Sequence, residues 1–91
     1  MATHKQLANW YRLLAQHIEA GISLPEALSM AEGVPSAGRL EMVELLESGA
    51  SVEDTMAQAP RWLPETDRIF IAAAAETGQF PQTFENLSAQ H

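Results

Sequence analysis

Glutamates form the most regular set of chemically active side chains in this sequence. Glu41, Glu44 and Glu47 recur every third residue, so on a helix their carboxylates follow one face. Such a row can hold a divalent cation between neighbouring copies of the chain, because calcium and magnesium prefer carboxylate oxygens. The same spacing is typical of the solvated face of an amphipathic helix, which is what we expect here. We predict no metal site within the chain and leave cation binding between copies open.

The three histidines are candidates for catalysis, because histidine is the usual general base in enzymes. His4 and His91 lie near the ends of the chain, where we expect frayed helices, and no Ser or Asp is spaced to share a helix face with His17. No cysteine is present, and no Gly-Lys-Ser or Gly-Lys-Thr sequence forms a phosphate-binding loop. The sequence therefore predicts no catalytic residue, no cofactor and no enzymatic activity.

A tryptophan flanked by arginine is the main candidate for protein recognition. Trp62 lies between Arg61 and Leu63 in a predicted turn next to two prolines. It can close the end of a helical bundle, or it can anchor a partner as tryptophan and arginine do at interaction hot spots. Together with Arg68 it forms a predicted patch that could meet a second copy of the domain.

The charge of the chain restricts its partners. Twelve acidic and five basic residues give a formal charge of −7, which argues against nucleic acid and anionic membranes. We therefore expect protein partners, bound through the acidic faces with an affinity that falls as salt rises. The longest apolar run, residues 69–75, has seven residues, whereas a bilayer span needs about 20. With no signal-peptide pattern at the N-terminus, we expect a soluble, cytoplasmic chain without a transmembrane segment.

A repeated glycine junction organises these residues. Residues 21–28 and 49–56 match at an offset of 28 positions, and residues 78–84 form a looser third copy. In each copy the glycine can adopt the left-handed conformation that ends one helix. Ser23 and Ser51 can then cap the next helix, with an acidic residue three positions later to complete a capping box.

Apolar stripes and breaks between the junctions predict six helices, at about residues 5–20, 24–32, 37–48, 52–58, 64–77 and from 80 onward. In the third helix we expect Ser36 to act as the cap and Leu40, Val43 and Leu46 to point inward. A chain of 91 residues supports one core, so residues 1–91 are predicted to form a single domain. The predicted fold is all-α, an antiparallel six-helix bundle built from three helix-Gly-helix hairpins.

Five segments occur in an order that resembles a known family. They are WYRLLA at residues 10–15, EAGISLPEAL at 19–28, LLESGASV at 45–52, WLP at 62–64 and ETGQF at 76–80. As a set they resemble the type II secretion system protein F family, which includes the platform proteins of type IV pilus assembly. The chain departs from the family pattern where Ala74-Ala75 replaces a Gly-Glu pair, and the stretch between Leu28 and Gly49 is shorter.

The resemblance implies a six-helix cytoplasmic domain, normally followed by transmembrane helices, in an inner-membrane protein that links an assembly ATPase to a growing pseudopilus or pilus. On that basis we predict a non-enzymatic assembly module at the cytoplasmic face of the bacterial inner membrane. Its partners would be the ATPase, other inner-membrane subunits or a second copy. The alternative is a stand-alone soluble adaptor or regulatory protein with the same fold, which the DNA beyond codon 91 would distinguish.

Overall fold

Six helices and no strands make up the structure, a computed structural model that describes residues 1–91. The predicted all-helical class and the number of helices are therefore confirmed, and the predicted ends fall within two residues of those observed. The antiparallel arrangement of three hairpins stays a prediction. The helices are α1 (His4–Glu19), α2 (Leu24–Met30), α3 (Ser36–Glu47), α4 (Val52–Ala57), α5 (Glu65–Thr77) and α6 (Phe80–Gln90).

The first two junctions have the same backbone geometry. Gly21 and Gly49 have φ angles of 93° and 101°, in the left-handed region. The amide of the residue after each glycine donates to a carbonyl five positions earlier, from Ile22 to His17 and from Ala50 to Leu45, both at 3.0 Å. This is the Schellman motif, which satisfies the last carbonyls of a helix. The repeat at an offset of 28 residues is thus a repeat of structure.

Serine side chains begin the helices after these two junctions, as predicted. Ser23 Oγ accepts from the Glu26 amide at 3.4 Å, and Ser51 Oγ accepts from the Asp54 amide at 3.0 Å. The reciprocal bond expected from Glu26 and Asp54 occurs instead at α1, where Thr3 and a glutamine form a complete capping box. The third junction differs, because Gly78 itself is the left-handed cap and no side chain caps α6.

The start of α3 corrects two expectations. Ser36 makes no capping hydrogen bond, and the helix begins after Pro35 with a kink at Ala37 and Gly38, where the backbone is not helical. Leu40 does not point inward and is 48 % exposed. The helix is rotated so that Arg39 and the two residues Met42 and Val43 face the interior, a stripe at positions i, i+3 and i+4.

One hydrophobic core joins all six helices, and its largest side chains come from α1 and α6. Trp10 and Tyr11 of α1 are 1 % and 0 % exposed. The pair α1 and α6 forms the most extensive helix contact, followed by the chain neighbours α2 with α3 and α4 with α5. The core residues are Leu7, Trp10, Tyr11, Leu14, Ala15, Ala27, Leu28, Ala31, Val34, Met42, Val43, Met56, Leu63, Ile71, Phe84 and Leu87.

A helix that crosses a bilayer needs about 20 predominantly apolar residues. No helix in the structure is both long enough and apolar enough to cross a membrane.

Candidate functional site

The acidic face of α3, defined by Glu41, Glu44 and Glu47, lies on the surface. All three glutamates are exposed, as the spacing predicted. Glu41 and Glu44 also line a shallow cleft of about 510 Å³ together with Leu45, Ser48 and Gln58. Gln58 lies just after α4, so the cleft is formed where α3 and the end of α4 meet. Glu47 lies outside this cleft.

No basic side chain neutralises the acidic face of α3. The one close contact between a basic and an acidic side chain joins His91 and Asp67, away from α3. No group of three or more His, Asp or Glu side chains is arranged to hold a metal ion within one copy of the chain. The α3 carboxylates are therefore available to basic groups from outside the chain, where exposed charges act mainly by steering an encounter.

The patch of Arg61, Trp62 and Arg68 comes together around the turn between α4 and α5. Arg68 Nε and Nη2 donate to the carbonyls of Leu63 and Pro60, both at 2.8 Å. These two bonds close the turn. Arg68 is half-buried, and its guanidinium already has partners within the chain. Arg61 is the exposed cation of the patch.

Trp62 packs onto the core of the molecule. Its ring lies edge-on to Trp10, with 5.4 Å between ring centroids and 75° between the planes, a favourable aromatic geometry. Its indole nitrogen donates to the Ala37 carbonyl at 3.1 Å, so the turn is tied to the start of α3. The ring remains half-exposed, and that exposed part is what a partner could contact.

A buried arginine, which sequence reasoning missed, closes the end of α2. Arg39 is 7 % exposed, and its Nη1 donates to the carbonyls of Leu28 and Ser29 at 2.8 and 3.1 Å. Trp10 Nε1 donates to the carbonyl of Ala31, just past the end of the helix, at 3.1 Å. The last carbonyls of α2 would otherwise lack partners, because the helix ends and does not continue to Pro35. The negative end of the helix dipole also stabilises a positive charge at this position.

The second missed group is a polar network at the seam between α1, α5 and α6. The Tyr11 hydroxyl donates to Asp67 Oδ2 at 2.6 Å, and His91 Nε2 lies 2.7 Å from the same oxygen. His91 Nδ1 lies 2.8 Å from His4 Nδ1, and the two rings stack. We expected both histidines at frayed ends, yet they meet each other and link the two ends of the chain. Because Asp67 and Tyr11 are buried, we interpret the network as a structural element that holds these parts of the chain together.

Burial changes the acidity of the tyrosine in this network. The pKa of Tyr11 is raised well above its ordinary value of 10.0, first because burial disfavours the charged phenolate, and then because it donates to and lies beside the Asp67 carboxylate. Tyr11 therefore keeps its proton in the folded state and serves as a permanent donor. A buried tyrosine locked in this form is suited to structure and not to proton transfer.

Asp67 and Arg39 could both have been recognised from their positions in the sequence. Asp67 occupies the same stripe of α5 as the buried Ile71 and Ala74, at positions i, i+4 and i+7. Arg39 occupies the buried stripe of α3. A charged residue at an apolar position of a helix is rarely left without a partner, so each position predicts a buried bond, although not its partner.

The model of the family "Type II secretion system (T2SS), protein F" matches residues 10–91. No curated protein and no solved structure matches the chain significantly. Because the family model covers most of the sequence, the chain belongs to the type II secretion system protein F family.

Proposed function

From this family membership we propose that residues 1–91 form one domain that serves as a non-enzymatic assembly module of an inner-membrane platform protein in type II secretion or type IV pilus biogenesis. It works by binding other subunits of the machinery at the cytoplasmic face of the membrane. No cofactor takes part in this function. The assembly ATPase is the first partner we propose, because the platform connects it to the growing pseudopilus or pilus.

The observation that carries the proposal is the unpaired acidic face of α3. Glu41, Glu44 and Glu47 are exposed without a basic neighbour, on a chain of net charge −7. A basic surface on the ATPase would be drawn to this face by long-range attraction. Anionic lipid headgroups would repel the same face, so in a membrane-tethered protein it points away from the bilayer.

The Arg61 and Trp62 side of the molecule provides a second contact in this proposal. Arg61 is exposed, and the half-exposed ring of Trp62 is already held rigid by its bond to the Ala37 carbonyl at 3.1 Å. A rigid aromatic ring loses little conformational entropy on binding. Arg68 supports this surface from behind by closing the turn, and a second copy of the domain is the partner proposed for it.

Binding to the cognate ATPase at low and high salt tests the main proposal. We expect pull-down of the ATPase by the wild-type domain at low salt, with strong loss as the salt concentration approaches roughly 0.5 M, since salt screens exposed charges. The triple variant E41K/E44K/E47K should lose binding at low salt. Flotation with anionic liposomes should show no binding of the wild-type domain.

The outcome that contradicts the proposal is ATPase binding that ignores both salt and charge reversal. Binding to anionic vesicles would contradict the orientation of the acidic face. Failure to bind any subunit of the machinery would favour the alternative, a soluble helical adaptor or regulatory protein with the same fold.

A further inference from the structure

An apolar groove runs between α4 and α5, on a face that the α3 glutamates do not share. Its floor is made by Met56 and Ala57 of α4 and by Ile69, Ala72 and Ala73 of α5. The groove has a volume of about 580 Å³. Ile69 is 63 % exposed, so a large aliphatic side chain of the lining faces water. The lining alanines, Ala57, Ala72 and Ala73, leave room for another backbone to approach closely.

Three carboxylates border this groove and none of them has a basic partner. Glu65 and Glu76 lie at its two ends on α5, eleven positions apart, and Glu53 lies across from them on α4. Arg68 is the one cation in the lining, and its guanidinium is already bound to the carbonyls of Pro60 and Leu63. The groove therefore combines an apolar floor with a rim in which three carboxylates outnumber one guanidinium.

We propose that this groove is the docking site for a basic amphipathic helix of a partner protein. An exposed aliphatic floor needs apolar side chains at intervals of three to four residues, which one helix face supplies. The acidic rim needs lysine or arginine on either side of those residues. This surface is separate from the acidic face of α3 and goes beyond the function proposed above.

The charge of the chain itself disfavours a second copy as the occupant. Two of its five basic residues, Arg39 and Arg68, are bound to backbone carbonyls inside the molecule. A second copy would bring a net charge of −7 to an acidic rim, and like charges across an interface are costly. A basic segment from a different protein meets the charge requirement.

The spacing of the rim sets the spacing of the charges on the partner. Eleven helical positions between Glu65 and Glu76 correspond to about 16 Å along the axis of α5. A helix lying along the groove therefore needs two cations about three turns apart, with apolar residues between them on the same face.

A designed helical peptide provides the probe. The peptide is stapled and is about 16 residues long. It carries three leucines on one face and two arginines that lie three turns apart. We expect saturable binding by fluorescence anisotropy at low salt, with chemical-shift changes confined to α4 and α5. Matched peptides carry glutamate in place of both arginines, or serine in place of the leucines, and neither should bind.

Variants of the protein locate the site. E65K/E76K should weaken binding of the arginine peptide by roughly tenfold or more, whereas E41K/E44K, with the same change of charge, should weaken it by less than about threefold. Ala73→Trp should block the groove, and Ala75→Trp, at an exposed position of α5 outside the groove, should leave binding intact. A circular dichroism spectrum of each variant confirms that it is folded.

Four outcomes would overturn the inference. They are no saturable binding of the arginine peptide, equal binding of the glutamate peptide, equal loss of binding in both tryptophan variants, and a wild-type domain that forms a dimer which Ile69→Ser dissociates. The last result would assign the groove to a second copy. None of these results depends on ATPase binding, so they leave the proposed function of the α3 face to its own test.

Discussion

On one side of this molecule the polar and apolar groups have partners within the chain, and on another side they are exposed to water. On the closed side, the contacts run from Gly38 to Trp62, Trp10, Tyr11 and Asp67 without a gap. Each of these residues packs against or hydrogen-bonds with a partner within the chain. On the open side, the α4–α5 groove leaves Ile69 in water and the carboxylates of its rim without a salt bridge.

The difference separates residues that hold the fold from residues that are free to bind. Burial and hydrogen bonding on the closed side stabilise the native state, and any loss there exposes an unsatisfied group. The exposed groups of the groove contribute little to folding, because they have nearly the same surroundings in the unfolded chain. Substitutions should therefore have effects on stability that decrease from the closed side to the open side.

The largest effect is expected at Gly38, whose φ angle is +87°. A Cβ atom there would lie 2.5 Å from Pro60 Cβ and 2.7 Å from Pro60 Cγ. Gly38→Ala should cost about 3 kcal/mol, from the left-handed backbone and from overpacking together. The matched control is Gly21→Ala, where φ is also positive but no atom lies within 4 Å, and it should cost about 1 kcal/mol.

Urea denaturation of both glycine variants measures this difference. Equal losses in the two variants would show that backbone strain alone determines the effect and that the contact with Pro60 adds nothing.

A smaller loss is expected at the polar network. Tyr11→Phe removes the donor to Asp67, and because that acceptor is buried and charged the change should cost about 1.5–2 kcal/mol at neutral pH. The pKa of Tyr11 is raised in the folded protein above its ordinary value of 10.0. Its contribution to stability is therefore complete below that value and is lost as the pH rises above it, when the unfolded chain gives up the proton.

Thermal unfolding followed from neutral pH to beyond pH 10 checks this prediction. The wild-type midpoint should fall steeply above about pH 10, and the Tyr11→Phe midpoint should fall less, since the variant has no buried phenol to ionise. Parallel curves for the two proteins would mean that other groups cause the alkaline loss.

Substitutions at the helix caps, which lie at the surface, should have an effect on stability intermediate between those of the two sides. Ser51→Ala and Ser23→Ala each remove an oxygen that accepts from a helix amide, and each should cost about 1 kcal/mol. Ser36→Ala is the matched control, because Ser36 makes no capping bond. Denaturation midpoints that respond equally at all three serines would contradict the assignment of the caps.

The smallest effect is expected in the groove itself. Ile69→Ala should change the free energy of unfolding by less than about 0.5 kcal/mol, because the side chain is already mostly in water. Ile71→Ala, two residues along the same helix, should cost about 2–4 kcal/mol, since Ile71 is 3 % exposed. A large loss at Ile69 would place that side chain in the core and remove the groove as a free surface.

Local sequence signals were enough to predict the helices and their junctions. Glycine at positions 21 and 49 and serine two residues later determine a Schellman ending and a capped start with few long-range contacts. The resemblance to the family depended in part on the same junctions, because two of the segments that carry it, residues 19–28 and 45–52, contain them. The exposure of Glu41, Glu44 and Glu47 also follows from spacing alone.

Tertiary structure decided which polar residues became internal and which surfaces remained open. Arg39 could be placed inside only where α2 ends with free carbonyls, and Asp67 only where Tyr11 and His91 from α1 and the end of the chain converge. Leu40 turned outward as a result of the inward rotation of Arg39. Residues 39 and 28, or 67 and 11, are far apart in sequence. Periodicity reports the face on which a residue lies but not the group that it meets, and that partner determines the energy of a buried charge.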